Sequence, residues 1–220
     1  MSSTARPHLV IGNKNYSSWS LRPWIAMRAT GIDFTEELIA LDQSDTKERI
    51  RAHGGSQRVP VLHHGDLIVW ESLAIIEYLA ETFPAANLWP EDRAGRALAR
   101  SVSNEMHASF MALRAACPMN MRREKKRLPI SADAQADVRR IEDLWKLCRD
   151  GFGQGGPFLF GRFTAADAMF APVVNRFDVY DIPVSRETLA YMAAVKALPA
   201  WQEWEAAGRA ETWVIAHDEA

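Results

Sequence analysis

The sequence predicts a mixed α/β unit followed by an all-helical one. Three observations carry this reading. Short apolar or alternating segments interleave with helical periodicity over residues 1–83. The stretch "FPAANLWPED", with two prolines, then changes the character of the chain. Every later segment shows helical spacing. The expected boundaries are residues 1–83, a linker over 84–91, and a helical unit over 92–220.

The elements follow in order. "HLVIG" (residues 8–12) is a short buried strand. A helix runs from about Ser20 to Thr30, with Leu21, Trp24, Ile25 and Arg28 at helical spacing. Pro23 is expected in its first turn, where a missing N–H costs nothing, and Gly31 ends it. "DFTEELIAL" reads as a second strand and "SDTKERIRAH" as a short polar helix. "VPVLHHGDLIVW" is a hairpin turning at "HHGD". "ESLAIIEYLAETFP" is a helix with Leu73, Ile76, Ala80 and Phe83 on one face. Beyond the linker, one helix is expected from Asp92 to about Ala116, striped by Leu98, Val102, Met106, Phe110 and Leu113. "RREKKR" (residues 122–127) reads as a solvated connection. Further helices span Ala132 to Phe152, "TAADAMFAPVVNRFDVY", "RETLAYMAAVKAL" and "PAWQEWEAAGRA", and Pro172 is expected to kink the second of these. Trp201, Trp204 and Trp213 are expected in the core.

Composition excludes several function classes. The net charge of -2 argues against a nucleic-acid surface. No apolar run is long enough to span a membrane, and "MSSTARPHLVIG" lacks the apolar core of a secretory signal. Cys117 and Cys148 stand far apart without metal-ligand spacing, which fits a reducing cytoplasm. His63 and His64, adjacent on a hairpin, point to opposite faces, so no metal site is expected. There is no phosphate loop and no Ser-His-Asp signature.

Four motifs remain. "NKNYSSWSLRPW" gathers Tyr16, Ser17, Ser18 and Ser20 just before or at a helix start, either as caps or as a reactive hydroxyl without an adjacent base. Ser20 is the better-placed cap; Ser17 lies outside the expected helix. In "RVPVL", Pro60 is either an edge-strand proline or a cis turn that aims the backbone of Val59 outward. In "ESLAII", Ser72 is either a plain cap or, with the free N–H groups of the helix start, a carboxylate site, with Glu71 beside it to receive an ammonium. One small zwitterion satisfies both. "FTAADA" places Thr164 and Asp167 at capping-box spacing, a structural device.

The order and spacing of these motifs resemble the cytosolic glutathione S-transferase family over nearly the whole chain. "SSWSLRPWIAM" is similar to the serine-type active-site segment of the zeta and related bacterial classes, with Trp19 where the zeta segment carries a cysteine. "VPVLHHGDLIVWESLAIIEYLAE" is similar to the family's glutathione-binding segment. The resemblance implies a thioredoxin-like N-terminal domain with a mixed four-stranded sheet and an all-α C-terminal helical bundle. It implies a cytoplasmic homodimer with a detoxification role, and glutathione as co-substrate. On this resemblance Ser17 or Ser18 is catalytic and steadies the thiolate of glutathione. Tyr16, Arg58, Val59, Pro60, Glu71 and Ser72 bind the tripeptide, Val59 through its backbone and Pro60 as a cis proline. Arg58 stands where relatives often have glutamine. The implied activity is attack of the glutathione thiol on a small hydrophobic electrophile. The alternatives are a glutathione-dependent isomerase or peroxidase, and a non-catalytic regulatory binder. The electrophile pocket is expected in the helical domain, with Met106, Phe110 and Leu113 as candidates, although a stripe at helical spacing favours the core for all three.

Overall fold

The computed structural model describes residues 5–219. Four short strands, β1 (His8–Ile11), β2 (Thr35–Leu38), β3 (Val61–His64) and β4 (Leu67–Trp70), form one sheet in the order β2-β1-β3-β4. β1 runs parallel to β2, with Leu9 opposite Glu36, and antiparallel to β3, with Leu9 opposite Leu62. The parallel pair needs a crossover, supplied by α1 (Ser18–Thr30). The two faces of the sheet are covered differently, as alternation along the strands requires. Leu9, Ile11 and Leu62 face the main core beneath α1 and α3 (Ser72–Thr82), while Val10, Ile39 and Val61 pack on Ile50 of α2 (Thr46–Ala52).

Six helices follow: α4 (Arg93–Ala108), α5 (Met111–Ala116), α6 (Ala132–Phe152), α7 (Ala165–Val179), α8 (Arg186–Lys196) and α9 (Pro199–Ala210). α7 is buried along nearly its whole length and packs against α1 and α4. The apolar sequence "AAxAMFAPVV" has no polar face to give to water, so this helix becomes the centre of the bundle. Its start is held by Asp167, whose carboxylate accepts the Thr164 N–H (2.8 Å), the Thr164 hydroxyl (2.9 Å) and the Leu159 N–H (3.1 Å). Burial pushes this carboxyl up to about 6.

Several expectations need correction. The helix expected over 92–116 is two helices. It breaks at Ser109 and Phe110, where Phe110 adopts a left-handed backbone (φ 64°). The apolar stripe continued across the break, so periodicity alone hid it. α1 begins at Ser18, two residues early, which puts Pro23 in the second turn and leaves the Trp19 carbonyl without its helical donor. Residues 211–219 form an extended segment with one short 3-10 turn (Ala216–Asp218), and Trp213 on it is 39% exposed, unlike Trp201 and Trp204 in the core. Arg122, expected in a solvated loop, is bound into this segment instead.

Candidate active site

The loop between β1 and α1 is fixed by its asparagines. The Asn13 side chain accepts the Leu41 N–H (2.7 Å), and that of Asn15 accepts the Arg122 N–H (2.8 Å). Glu211 accepts the backbone N–H groups of Lys14 (2.6 Å) and Asn15 (3.1 Å). α9 approaches so closely that a Cβ on Gly208 would lie 3.1 Å from the Lys14 and Asn15 backbone. Three segments distant in sequence therefore clamp the residues that lead into "YSSWS".

Ser17 is the N-cap of α1, not Ser20. Its Oγ lies 3.4 Å from the Ser20 N–H and 2.8 Å from Ser20 Oγ, which in turn accepts the Gly12 N–H at 3.0 Å. Either hydroxyl of the pair can donate to the other. Ser17 and Ser18 both line a cleft of about 480 Å³, shared with Tyr16, Trp19, Arg58 and Val59 on one wall and Met111, Arg114, Met119 and Arg176 on the other. The Tyr16 hydroxyl is engaged elsewhere: it bonds to Glu219 of the C-terminal segment and accepts from Arg122 Nη2 (2.6 Å).

A second cleft of about 470 Å³ continues from the first, with Trp19, Arg58, Val59, Met111 and Arg114 common to both. It is lined further by Pro60, Glu71, Ser72 and His107. The Val59–Pro60 peptide is cis. Neither the N–H nor the C=O of Val59 has a hydrogen-bond partner among the described residues. Ser72 is the first residue of α3 and its buried Oγ is unpaired. No side chain caps this helix start, so its first N–H groups face the cleft unsatisfied. Glu71 before it holds a left-handed backbone (φ 69°), a conformation costly for a non-glycine residue and common where geometry serves a site. Its carboxylate is half-exposed, 3.8 Å from His107 Nε2. Burial and the nearby Arg22 hold the His107 imidazole below its usual range.

All eight residues singled out from the sequence, Tyr16, Ser17, Ser18, Arg58, Val59, Pro60, Glu71 and Ser72, thus line one continuous groove. Met106, Phe110 and Leu113 do not; they are buried core, and Met111, Arg114 and Met119 form the facing wall in their place. The break before α5 rotates the helical face, which the unbroken stripe concealed. Arg22, His107, Arg114 and Arg176 were not found by sequence reasoning, since no local motif sets any of them apart on its helix.

The family models for the glutathione S-transferase N-terminal domain and C-terminal domain match residues 16–82 and 130–207. The chain belongs to the glutathione S-transferase family. Its relatives include Protein IN2-1 of Zea mays, 25% identical over 169 residues and 75% of this chain, and Glutathione S-transferase 1 of Dianthus caryophyllus, 33% identical over 127 residues and 57% of this chain. The chain spans 63% and 57% of the lengths of these two relatives. A "Probable maleylacetoacetate isomerase" of Caenorhabditis elegans is 33% identical over 101 residues, 46% of either chain. Among solved structures, a glutathione transferase homolog from Burkholderia with bound glutathione is 26% identical with a TM-score of 0.70, covering 93% of this chain and 98% of that one. The thioredoxin-like sheet followed by a helical unit is the fold that these glutathione S-transferase structures share with this chain.

Proposed function

We propose that this chain is a glutathione transferase that binds glutathione in the groove and activates its thiol toward a small electrophile. One observation carries the reading: a set of unpaired polar groups, the Val59 backbone, the Ser72 hydroxyl and the free N–H groups of α3, borders the same groove as the hydroxyls of Ser17 and Ser18. These groups fit a γ-glutamyl peptide. Ser72 and the α3 N-terminus take the α-carboxylate, favoured there by the helix dipole. Glu71 takes the ammonium, and Val59 pairs with the cysteinyl backbone as an added strand would. Arg58 borders both clefts and Tyr16 the first, so both would flank the peptide. Glutathione supplies the thiol, and the likeness to a structure with glutathione bound supports the assignment.

Ser17 then works as a donor. When Ser20, which accepts from Gly12, donates to Ser17 rather than receiving from it, the Ser17 proton is free to point at a sulfur anion. Donation to the charged form lowers a thiol's pKa, and the α1 N-terminus adds to it. Ser18 is the neighbouring hydroxyl on the same cleft. We assign the glutathione-binding part to residues 1–83 and the second-substrate wall to 92–220. The exposed edge strand β4, with Leu67, Ile68 and Trp70 on its surface, supports a homodimer. The two buried free thiols, Cys117 and Cys148, support a cytoplasmic setting. A second reading, in which the same thiol is recycled in an isomerisation, is favoured by the likeness to the C. elegans relative. Calorimetry tests the shared core of both. Glutathione should bind, and Ser72→Ala should weaken it about tenfold, the loss of one hydrogen bond to a charged group. Unchanged binding in that variant would remove Ser72 from the site. A panel of aryl halides, peroxides and unsaturated diketones then separates conjugation from the cofactor uses. Glutathione binding without turnover on any member would point to a regulatory binder.

A further inference from the structure

Three guanidinium groups gather at the back of the groove, two of them over the Trp19 ring, and among the described residues none has a carboxylate within 4.0 Å. Arg22 is fully buried. Its Nε donates to the Met169 carbonyl (3.0 Å), while Nη1 and Nη2 have no partner. Arg176 is 4% exposed and lines the cleft beside Ser17. Its Nε donates to the Cys117 carbonyl (2.8 Å), and Nη1 has no partner. Arg114, half-buried on the same wall, reaches only the carbonyls of His107 and Ser109, at 3.4 and 3.5 Å. Arg22 and Arg114 both lie over the Trp19 ring, 4.2 and 4.5 Å from its centre. Asp218 lines the same cleft and acts on Arg176 electrostatically from beyond ion-pair distance, but not on Arg22 or Arg114.

Such an arrangement is expensive. Burying a cation without a counter-charge costs several kcal/mol, and neighbouring cations repel. Burial, then mutual repulsion, holds the Arg22 and Arg176 guanidiniums below their usual range. Holding a backbone carbonyl uses only one nitrogen of Arg22 and of Arg176, so a purely structural role leaves the remaining donors unexplained. Charge arranged against stability in this way marks a site. Arg114 and Arg176 come from α5 and α7, across the groove from the Val59 and Ser72 groups assigned to glutathione.

We infer that the second substrate carries a carboxylate, received by Arg176 and Arg114, with its apolar body against Met111, Met119 and Trp19. This deepens the proposed function and rests on it: the electrophile is a small organic acid rather than a neutral hydrophobe. An anion entering this wall would meet up to three donors already positioned, with Arg22 strengthening the field from behind Trp19.

Calorimetric titration at low salt with three probes tests this on the whole chain. Glutathione itself reports the underlying reading. S-benzylglutathione and S-(para-carboxybenzyl)glutathione differ only by the acid group. The carboxylated probe should bind at least about tenfold more tightly than the neutral one. That preference, taken as the ratio of the two S-benzyl probes within each protein so that any change in glutathione affinity cancels, should shrink toward unity in Arg114→Met, a half-buried position. Arg176→Met should act alike if it folds, and a crystal structure of the wild type with the carboxylated probe, whose acid group is expected on Arg176 Nη1, replaces it if it does not. Equal or weaker binding of the carboxylated probe, an unaltered preference in Arg114→Met, or a glutathione carboxylate found on Arg176 each overturns the inference while leaving the transferase reading standing. Failure of glutathione to bind overturns both.

Discussion

Replacing Ser17 with alanine separates its two duties. As a cap, its contribution is small: the bond to the Ser20 N–H is long, at 3.4 Å, and loss of an ordinary N-cap costs about 1 kcal/mol. As a donor to a thiolate, it would provide one charge-assisted hydrogen bond, worth about 1.5–3 kcal/mol. At about 1.4 kcal/mol per pKa unit, its removal should raise the pKa of the bound thiol by about 1–2. Ser20 Oγ, 2.8 Å away, loses its hydroxyl neighbour but keeps the Gly12 N–H, so the loop should hold its shape. The assay is ultraviolet thiolate absorbance of bound glutathione against pH, with the melting temperature as control. The expected result is a displaced titration with little thermal loss. Ser18→Ala, run in parallel, should move the titration far less. If neither variant displaces it, no serine here steadies the sulfur and the donor argument fails. If only Ser18→Ala does, the role passes to the neighbouring residue.

Two further outcomes follow from the structure. The buried Asp167 carboxyl, pushed up to about 6 from 3.8, binds its proton more tightly in the folded than in the unfolded chain. Its contribution is therefore fullest below about pH 4 and is lost as pH rises to about 6. In urea unfolding, the stability of wild type relative to Asp167→Asn should fall by about 2 kcal/mol between pH 4 and 7; a flat difference would contradict the burial argument. On β4, Ile68→Glu places a charge on the exposed edge, so light scattering should show a lower dimer fraction than wild type, and an unchanged one would move the interface elsewhere.

What was legible in the sequence had a local cause. α6 and α9 begin and end where their caps and periodicity put them, from Ala132 to Phe152 and from Pro199 to Ala210. The strands were readable from short apolar runs bounded by turns. The groove residues were readable because "VP" and "ES" are adjacent pairs whose backbone behaviour is local. The rest depended on contacts across the chain. Nothing near Arg22 or Arg176 in sequence says that α1 and α7 pack together and bring the two guanidiniums within each other's field. The break at Phe110 is a tertiary choice imposed on a stripe that could have continued. Asn13 and Asn15 carry no local signal of their role; their side-chain oxygens hold Leu41 and Arg122, 28 and 107 residues away.

The last residues described sit beside the first hydroxyls of the site: Glu211 clasps the backbone of Lys14 and Asn15, and Glu219 bonds to Tyr16 and Arg122. A ribosome must therefore translate almost to residue 219 before the segment around residue 16 gains its final partners. A chain released before residue 211 would lack the carboxylate that clasps the Lys14 and Asn15 backbone, so this corner is settled by residues made long after it.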